Sequence, residues 1–70
     1  MSDRVQVTID DAIASVRLSR PDKLNALDAE MFDALIGAGK QVMANNSIRA
    51  VVLHGEGRGF CAGLDFMSFM

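Results

Sequence analysis

The chain is poor in residues that stabilise small proteins: among its 70 residues it has no tryptophan, no tyrosine, one proline and one cysteine. A lone thiol cannot form an internal disulfide, and free cysteine is typical of a reducing compartment. Residues 1–5 lack the basic and apolar pattern of an export signal. No apolar run approaches the roughly 20 residues that cross a bilayer. We therefore expect a cytoplasmic protein without membrane insertion.

Excess positive charge is also lacking, because the formal net charge is −2 and the sequence pI is about 5.0. Binding to nucleic acid normally requires a basic patch, so nucleic-acid partners are not expected. Residues 66–70 are apolar apart from Ser68, whereas natural termini are usually polar. We interpret residues 1–70 as the N-terminal portion of a larger domain; the alternative is that the apolar tail caps a small core or forms a dimer contact.

Two stretches near the start show the alternation that is typical of strands. Apolar and polar residues alternate over 5–10 and again over 14–19. Asp10 and Asp11 lie between the stretches and predict a hairpin turn. Pro21 directs the preceding residue towards an extended conformation. Residues 20–27 are therefore predicted to form a loop that leaves the sheet.

A helix is predicted to follow this loop. Asp28 is a good N-cap, and Glu30 places negative charge in the first turn. Gly37 and Gly39 each weaken a helix by about 1 kcal/mol relative to alanine, and we interpret them as sites of close approach to a neighbouring element. Residues 45–47 are turn formers and predict the helix end. The predicted apolar face consists of Phe32, Leu35, Ile36, Gly39 and Met43.

Residues 48–54 are predicted to form a third strand. The apolar run 50–53 is unbroken, which is typical of a strand covered on both faces in a parallel sheet. The order strand, strand, helix, strand predicts an α/β fold.

A loop with four glycines in nine residues (Gly55, Gly57, Gly59 and Gly63) follows this strand. It permits three interpretations. Residues 57–62 fit the dinucleotide pattern G-x-G-x-x-A, but they follow a third strand, and the expected acidic residue would fall after residue 70. The loop could serve only to reverse the chain. Alternatively, a sharp turn after Gly63 could present the N–H of Leu64 to the oxyanion that develops on an acyl substrate.

Three segments, in order, resemble the enoyl-CoA hydratase/isomerase (crotonase) superfamily. Residues 20–27, with Asn-Ala-Leu before the helix, are similar to the family's loop after its opening hairpin. Residues 48–55 are similar to its next buried strand. Residues 59–66 are similar to its F-x-A-G-x-D element. The resemblance covers nearly the whole chain, and it favours the oxyanion interpretation.

The resemblance implies a crotonase-like (ClpP/crotonase) spiral of β-β-α units, assembled as homotrimers or hexamers. It implies an acyl-CoA thioester as substrate, with coenzyme A entering as part of that substrate and no metal or redox cofactor. The implied activity is hydration of 2-enoyl-CoA in fatty acid metabolism. The alternatives are an enoyl- or dienoyl-CoA isomerase and a non-catalytic interaction module.

The resemblance also implies roles for particular residues. The backbone N–H of Leu64 would be one of two oxyanion donors. The second donor and the catalytic carboxylates would lie after residue 70, so the 70-residue segment alone is expected to be inactive. The loop around Lys23, Leu24 and Ala26 would hold coenzyme A. The acyl and pantetheine channel would be lined by Ala62, Gly63, Leu64, Asp65 and Phe66.

Three further side chains near the glycine loop are interpreted structurally. Asp65 is expected to cap the next short helix or tie the loop together, His54 to be packed and hydrogen-bonded, and Cys61 to be a small buried thiol.

Overall fold

The computed structural model describes residues 3–70, so Met1 and Ser2, which belong to the segment considered for an export signal, lie outside the described residues. Strands β1 (Val5–Asp10) and β2 (Ile13–Leu18) form an antiparallel hairpin. Asp11 lies in the turn with a φ of 56°, a conformation that Asp tolerates better than most residues. The predicted hairpin is confirmed.

A crossover connects this hairpin to the third strand. It consists of a 3-10 turn (Pro21–Lys23) and helix α1 (Ala29–Met43). Strand β3 (Ala50–Gly55) then pairs in parallel with β2, which gives the sheet order β1-β2-β3. A single turn of helix, α2 (Phe66–Phe69), follows the glycine loop. The predicted α/β order is therefore confirmed.

The core lies between the inner face of β2 and one face of α1. Its buried apolar residues are Ala14, Val16, Leu18, Met31 and Ala38. Met31 and Ala38 share a helix face because they are seven positions, or nearly two turns, apart. The predicted face was partly right: Leu35 is half-buried, whereas Phe32, Ile36 and Met43 are exposed. Phe32 and Gly39 each follow a buried residue by one position, and each residue rotates the helix by about 100°, so the predicted face is rotated from the buried side by roughly that angle.

Strand β3 differs from its prediction in burial. Val51, Val52 and Leu53 are 50%, 50% and 51% exposed, so β3 is not covered on both faces by residues 3–70. The strand is the edge of the sheet, while α1 contacts β1 at the opposite edge. The apolar run therefore predicted the parallel pairing of β3 correctly, but it did not predict that β3 is exposed within residues 3–70.

The two helix glycines also differ from their interpretation. Apart from the adjacent residues and the neighbouring backbone of the helix itself, no atom of the described residues lies within 4 Å of where a Cβ would stand at Gly37 or Gly39, so neither marks a close approach to another element within these residues. Over residues 3–70, neither helix combines the length and the apolar character that crossing a membrane would require.

Candidate functional site

The glycine loop begins where β3 ends and turns at two glycines. Gly57 has a φ of 89° and Gly63 a φ of 97°, values that favour glycine because side chains clash there. Gly55 is required for a different reason. A Cβ at this position would overlap the carbonyl oxygen of Phe60 and lie 2.7 Å from that of Gly59. The loop therefore folds back tightly against the end of its own strand.

Asn25 holds this loop against the loop that precedes α1. It is 0% exposed and has a φ of 58°, in the left-handed region that Asn tolerates. Its Oδ1 accepts a 2.8 Å hydrogen bond from the Arg20 N–H. Its Nδ2 lies 3.0 Å from each of three carbonyl oxygens, those of Glu56, Gly59 and Phe60. This role of Asn25 was not predicted from the sequence, although an Asn in a loop is a known indicator of left-handed backbone.

Residues 24–27 and 62–65 run side by side. The Ala62 N–H donates to the Leu24 carbonyl oxygen at 2.9 Å, and the Leu27 N–H donates to the Gly63 carbonyl oxygen at 2.8 Å. The Asp65 N–H donates to the Leu27 carbonyl oxygen at 3.0 Å. The structure thus brings together Leu24 and Ala26, predicted to hold coenzyme A, with the predicted acyl channel.

The Leu64 N–H points away from this pairing. Leu27 and Leu64 form an isolated parallel bridge, in which Leu27 uses both its N–H and its carbonyl while the backbone groups of Leu64 face the other side. Within residues 3–70, the Leu64 N–H has no hydrogen-bond acceptor. Its side chain is 52% exposed. A donor held between bonded neighbours is thereby left available to an acceptor from outside this segment.

Ala62, Gly63, Asp65 and Phe66 flank this donor along the chain. Gly63 and Asp65 are half-buried, whereas Ala62 and Phe66 are exposed. Lys23 ends the 3-10 turn and is exposed, so its ammonium group is accessible to an anion.

Asp65 is bound on both of its carboxylate oxygens. Its Oδ1 accepts from the Ser68 N–H at 3.3 Å, as the N-cap of α2, and its Oδ2 accepts from Arg20 Nη1 at 2.9 Å. The interpretation of Asp65 as a cap and a loop tie is confirmed. The role of Arg20, which also donates to the Ala26 carbonyl oxygen at 3.1 Å, was missed.

Asp28 caps α1 as predicted, and the Met31 N–H donates to its Oδ1 at 2.8 Å. Burial by itself raises the pKa of the Asp28 carboxyl. The hydrogen bonds from Met31 and from Arg4 Nη2, with the charge of Arg20, outweigh burial and leave the pKa below its ordinary value. Asp28 therefore stays ionised and anchors two arginines.

The environments of His54 and Cys61, two other residues near the loop, test their predicted structural roles. His54 Nε2 lies 2.7 Å from Ser15 Oγ, so His54 is hydrogen-bonded as predicted. Cys61 is partly exposed, so its prediction as a buried thiol was wrong.

Both the sequence and the fold of this chain are similar to those of known proteins. The family model described as enoyl-CoA hydratase/isomerase matches residues 8–70. The 1,2-epoxyphenylacetyl-CoA isomerase of Escherichia coli is 40% identical over 81% of this chain and 22% of its own length. A Mycobacterium bovis protein named a probable enoyl-CoA hydratase is 43% identical over 80% of this chain and 20% of its own length.

A solved structure gives the same result for the fold. The enoyl-CoA hydratase from Mycobacterium tuberculosis H37Rv superposes with a TM-score of 0.89 and 32% identity, over 97% of this chain and 31% of that one. The chain thus spans between 20% and 31% of the length of these relatives. Because the family model covers residues 8–70, the chain belongs to the enoyl-CoA hydratase/isomerase family, and its sheet and helix are the N-terminal part of a crotonase fold.

Proposed function

We propose that the protein containing these residues acts on acyl-CoA thioesters, and that the Leu64 N–H donates to the thioester carbonyl oxygen. The observation that carries this proposal is the orientation of that N–H. It lies between two bonded neighbours and has no acceptor of its own within residues 3–70. The names of the relatives support the substrate class, because both refer to coenzyme A thioesters.

The proposed reaction is the addition of water across the double bond of a 2-enoyl-CoA. This addition pushes electrons towards the thioester carbonyl, so negative charge grows on its oxygen as an enolate forms. A fixed N–H aimed at that oxygen stabilises the transition state more than the ground state, and such donors contribute about 3–4 kcal/mol in other enzymes. The chain's own role is therefore electrostatic.

The thioester would lie along the paired loops. Residues 62–66 would line the acyl and pantetheine portions, while Lys23, Leu24 and Ala26 would hold the coenzyme A portion. Coenzyme A enters as part of the substrate, and no further cofactor is proposed. The proposed assembly is a homotrimer or hexamer, and the proposed location is the cytoplasm.

Isomerisation is the second candidate, and the Escherichia coli relative favours it because its name is that of an isomerase. Both reactions need the same oxyanion donor and differ in the groups that move protons. Hydration incorporates oxygen from isotopically labelled water into the product, whereas double-bond isomerisation does not. A non-catalytic module would bind a thioester without either outcome.

The test removes the donor and keeps the Leu64 side chain. In the full-length protein, Leu64 is replaced by its α-hydroxy acid analogue, so that an ester oxygen stands in place of the N–H. We expect kcat for a 2-enoyl-CoA to fall roughly 100- to 1000-fold with little change in KM. The matched control is Leu64→Ala, which keeps the N–H, so its kcat should fall far less than that of the ester analogue, while loss of the side chain from the channel can raise KM. An ester analogue as active as the parent would show that Leu64 is not the donor.

A further inference from the structure

Arg20 lies beside the Leu27–Leu64 bridge and contacts both of its sides. Nη1 donates to the Ala26 carbonyl oxygen, which precedes Leu27, at 3.1 Å. The same nitrogen donates to Asp65 Oδ2, which follows Leu64, at 2.9 Å. We propose that Arg20 is a positioning residue that fixes the direction of the Leu64 N–H through Asp65. This inference rests on the proposed function.

Among the described residues, one backbone hydrogen bond of the bridge acts directly on the peptide that carries the donor, from the Leu27 N–H to the Gly63 carbonyl oxygen. Because a peptide group is planar, this bond sets the direction of the Leu64 N–H. The Asp65 N–H donates to the Leu27 carbonyl oxygen on the next peptide, and Gly63 has no side chain that restricts rotation. The contact of the Arg20 guanidinium with Asp65 adds a third interaction, on the residue that follows Leu64. This contact further restricts rotation of the peptide that carries the donor.

The environment of Arg20 makes this tie strong. Its side chain is 11% exposed and that of Asp65 is 17% exposed, so water screens the pair weakly. Charged donors and acceptors form shorter and stronger hydrogen bonds than neutral ones. Asp28 Oδ2 lies 3.5 Å from the same nitrogen and holds the guanidinium from a second direction.

Arg4 provides a matched comparison within the chain. Its Nη2 lies 2.8 Å from Asp28 Oδ2, so both arginines contact the N-cap of α1. In the described residues, the Asp65 ion pair and the Ala26 hydrogen bond belong to Arg20. Loss of Arg4 therefore loosens the helix cap without removing the tie beside Leu64.

The experiment compares Arg20→Gln, Asp65→Asn, their double variant and Arg4→Gln in the full-length protein. A misaligned donor loses transition-state contact, so Arg20→Gln should lower kcat for a 2-enoyl-CoA roughly 10- to 100-fold while KM changes little. Asp65→Asn should give a similar loss. The double variant should be no worse than Arg20→Gln, because the Arg20–Asp65 interaction is already absent in that variant. Arg4→Gln should lower thermal stability and leave kcat within about twofold.

A second readout is independent of turnover. The Leu64 amide resonance should shift in Arg20→Gln and Asp65→Asn, and it should not change in Arg4→Gln. If the parent protein does not transform thioesters, the proposed function fails, and this amide readout alone decides the positioning role. If Arg20→Gln does not fold, Asp65→Asn decides it, since Asn retains a cap oxygen for Ser68. The positioning role is refuted if kcat and the Leu64 amide are unaffected, or if Arg4→Gln reproduces both losses.

Discussion

Asn25 connects two loops through one side-chain amide. Its two amide protons are shared by three carbonyl oxygens 31, 34 and 35 positions away in sequence. Such partners are assembled by folding, and no local pattern around Asn25 indicates them. Asp28 and Asp65 were predictable as caps because a cap bonds an N–H three residues away. Asn25 differs from Asp28 and Asp65 because its hydrogen-bond partners lie far from it in the sequence.

Asn25→Asp is expected to destabilise the fold strongly. A carboxylate has no proton to donate, so it would place negative charge against three carbonyl oxygens in a fully buried position. Leaving a buried charge unsatisfied costs about 3 kcal/mol or more. In urea unfolding, this loss of stability should appear as a lower denaturation midpoint for Asn25→Asp than for the parent. Asn46→Asp, at an exposed position, makes the same chemical change and should shift stability by less than about 0.5 kcal/mol. Equal effects of the two substitutions would contradict the role assigned to Asn25.

At the scale of elements, the periodicity of apolar residues predicted the strands and the helix but not which of their faces are buried. The alternations gave both strands of the hairpin, and Asp28 gave the start of α1. The predicted face of α1 was partly wrong because Met31 and Ala38 are buried, whereas Phe32 and Ile36 are exposed. The apolar residues of α1 cover a wider part of the helix surface than the part that is buried against the sheet. The sequence alone could not show which part of this surface would be buried.

The N-terminus of α1 is expected to make stability depend on pH. The pKa of Asp28 is lowered in the folded chain, since the donors from Met31 and Arg4 and the charge of Arg20 outweigh the opposite effect of burial. A lowered folded pKa stabilises the fold fully above the ordinary value of 3.8. That stability is lost as the pH falls from 3.8 through the lower folded value.

Asp28→Asn tests this pH dependence. Asn remains a good N-cap but carries no charge that titrates. The parent should lose more unfolding free energy than Asp28→Asn when thermal or urea unfolding is followed from about pH 5 to below pH 3. Asp22→Asn is the matched control, because Asp22 is an exposed acidic residue of the 3-10 turn. Parallel stability curves for the parent and Asp28→Asn would show that the Asp28 carboxylate contributes nothing through its charge.

At the scale of the whole molecule, much apolar surface is exposed. Helix α1 exposes Phe32, Ile36 and Met43, strand β3 exposes Val51 and Leu53, and α2 exposes Phe66, Met67 and Phe69. Between α1 and β3 these surfaces meet in an apolar groove that includes Gly39 and Val42. Exposed apolar patches of this kind are typical of surfaces that bind another protein segment. The relatives, of which the chain spans 20% to 31%, carry further chain that this sequence does not contain.

The polypeptide of residues 1–70, prepared alone, should therefore neither catalyse hydration nor behave as a well-separated monomer. It contains one proposed oxyanion donor, and its one carboxylate beside that donor, Asp65, is held by Arg20 and Ser68. A site with half of its electrostatic stabilisation and no free base is expected to leave a 2-enoyl-CoA unchanged. The assay follows loss of the conjugated thioester at equal molarity of this polypeptide and the full-length protein. Sedimentation at several concentrations, with binding of a hydrophobic dye, measures association through the exposed apolar surface. Measurable hydration by the short polypeptide would mean that residues 1–70 hold a general base that the contacts of Asp65 do not reveal.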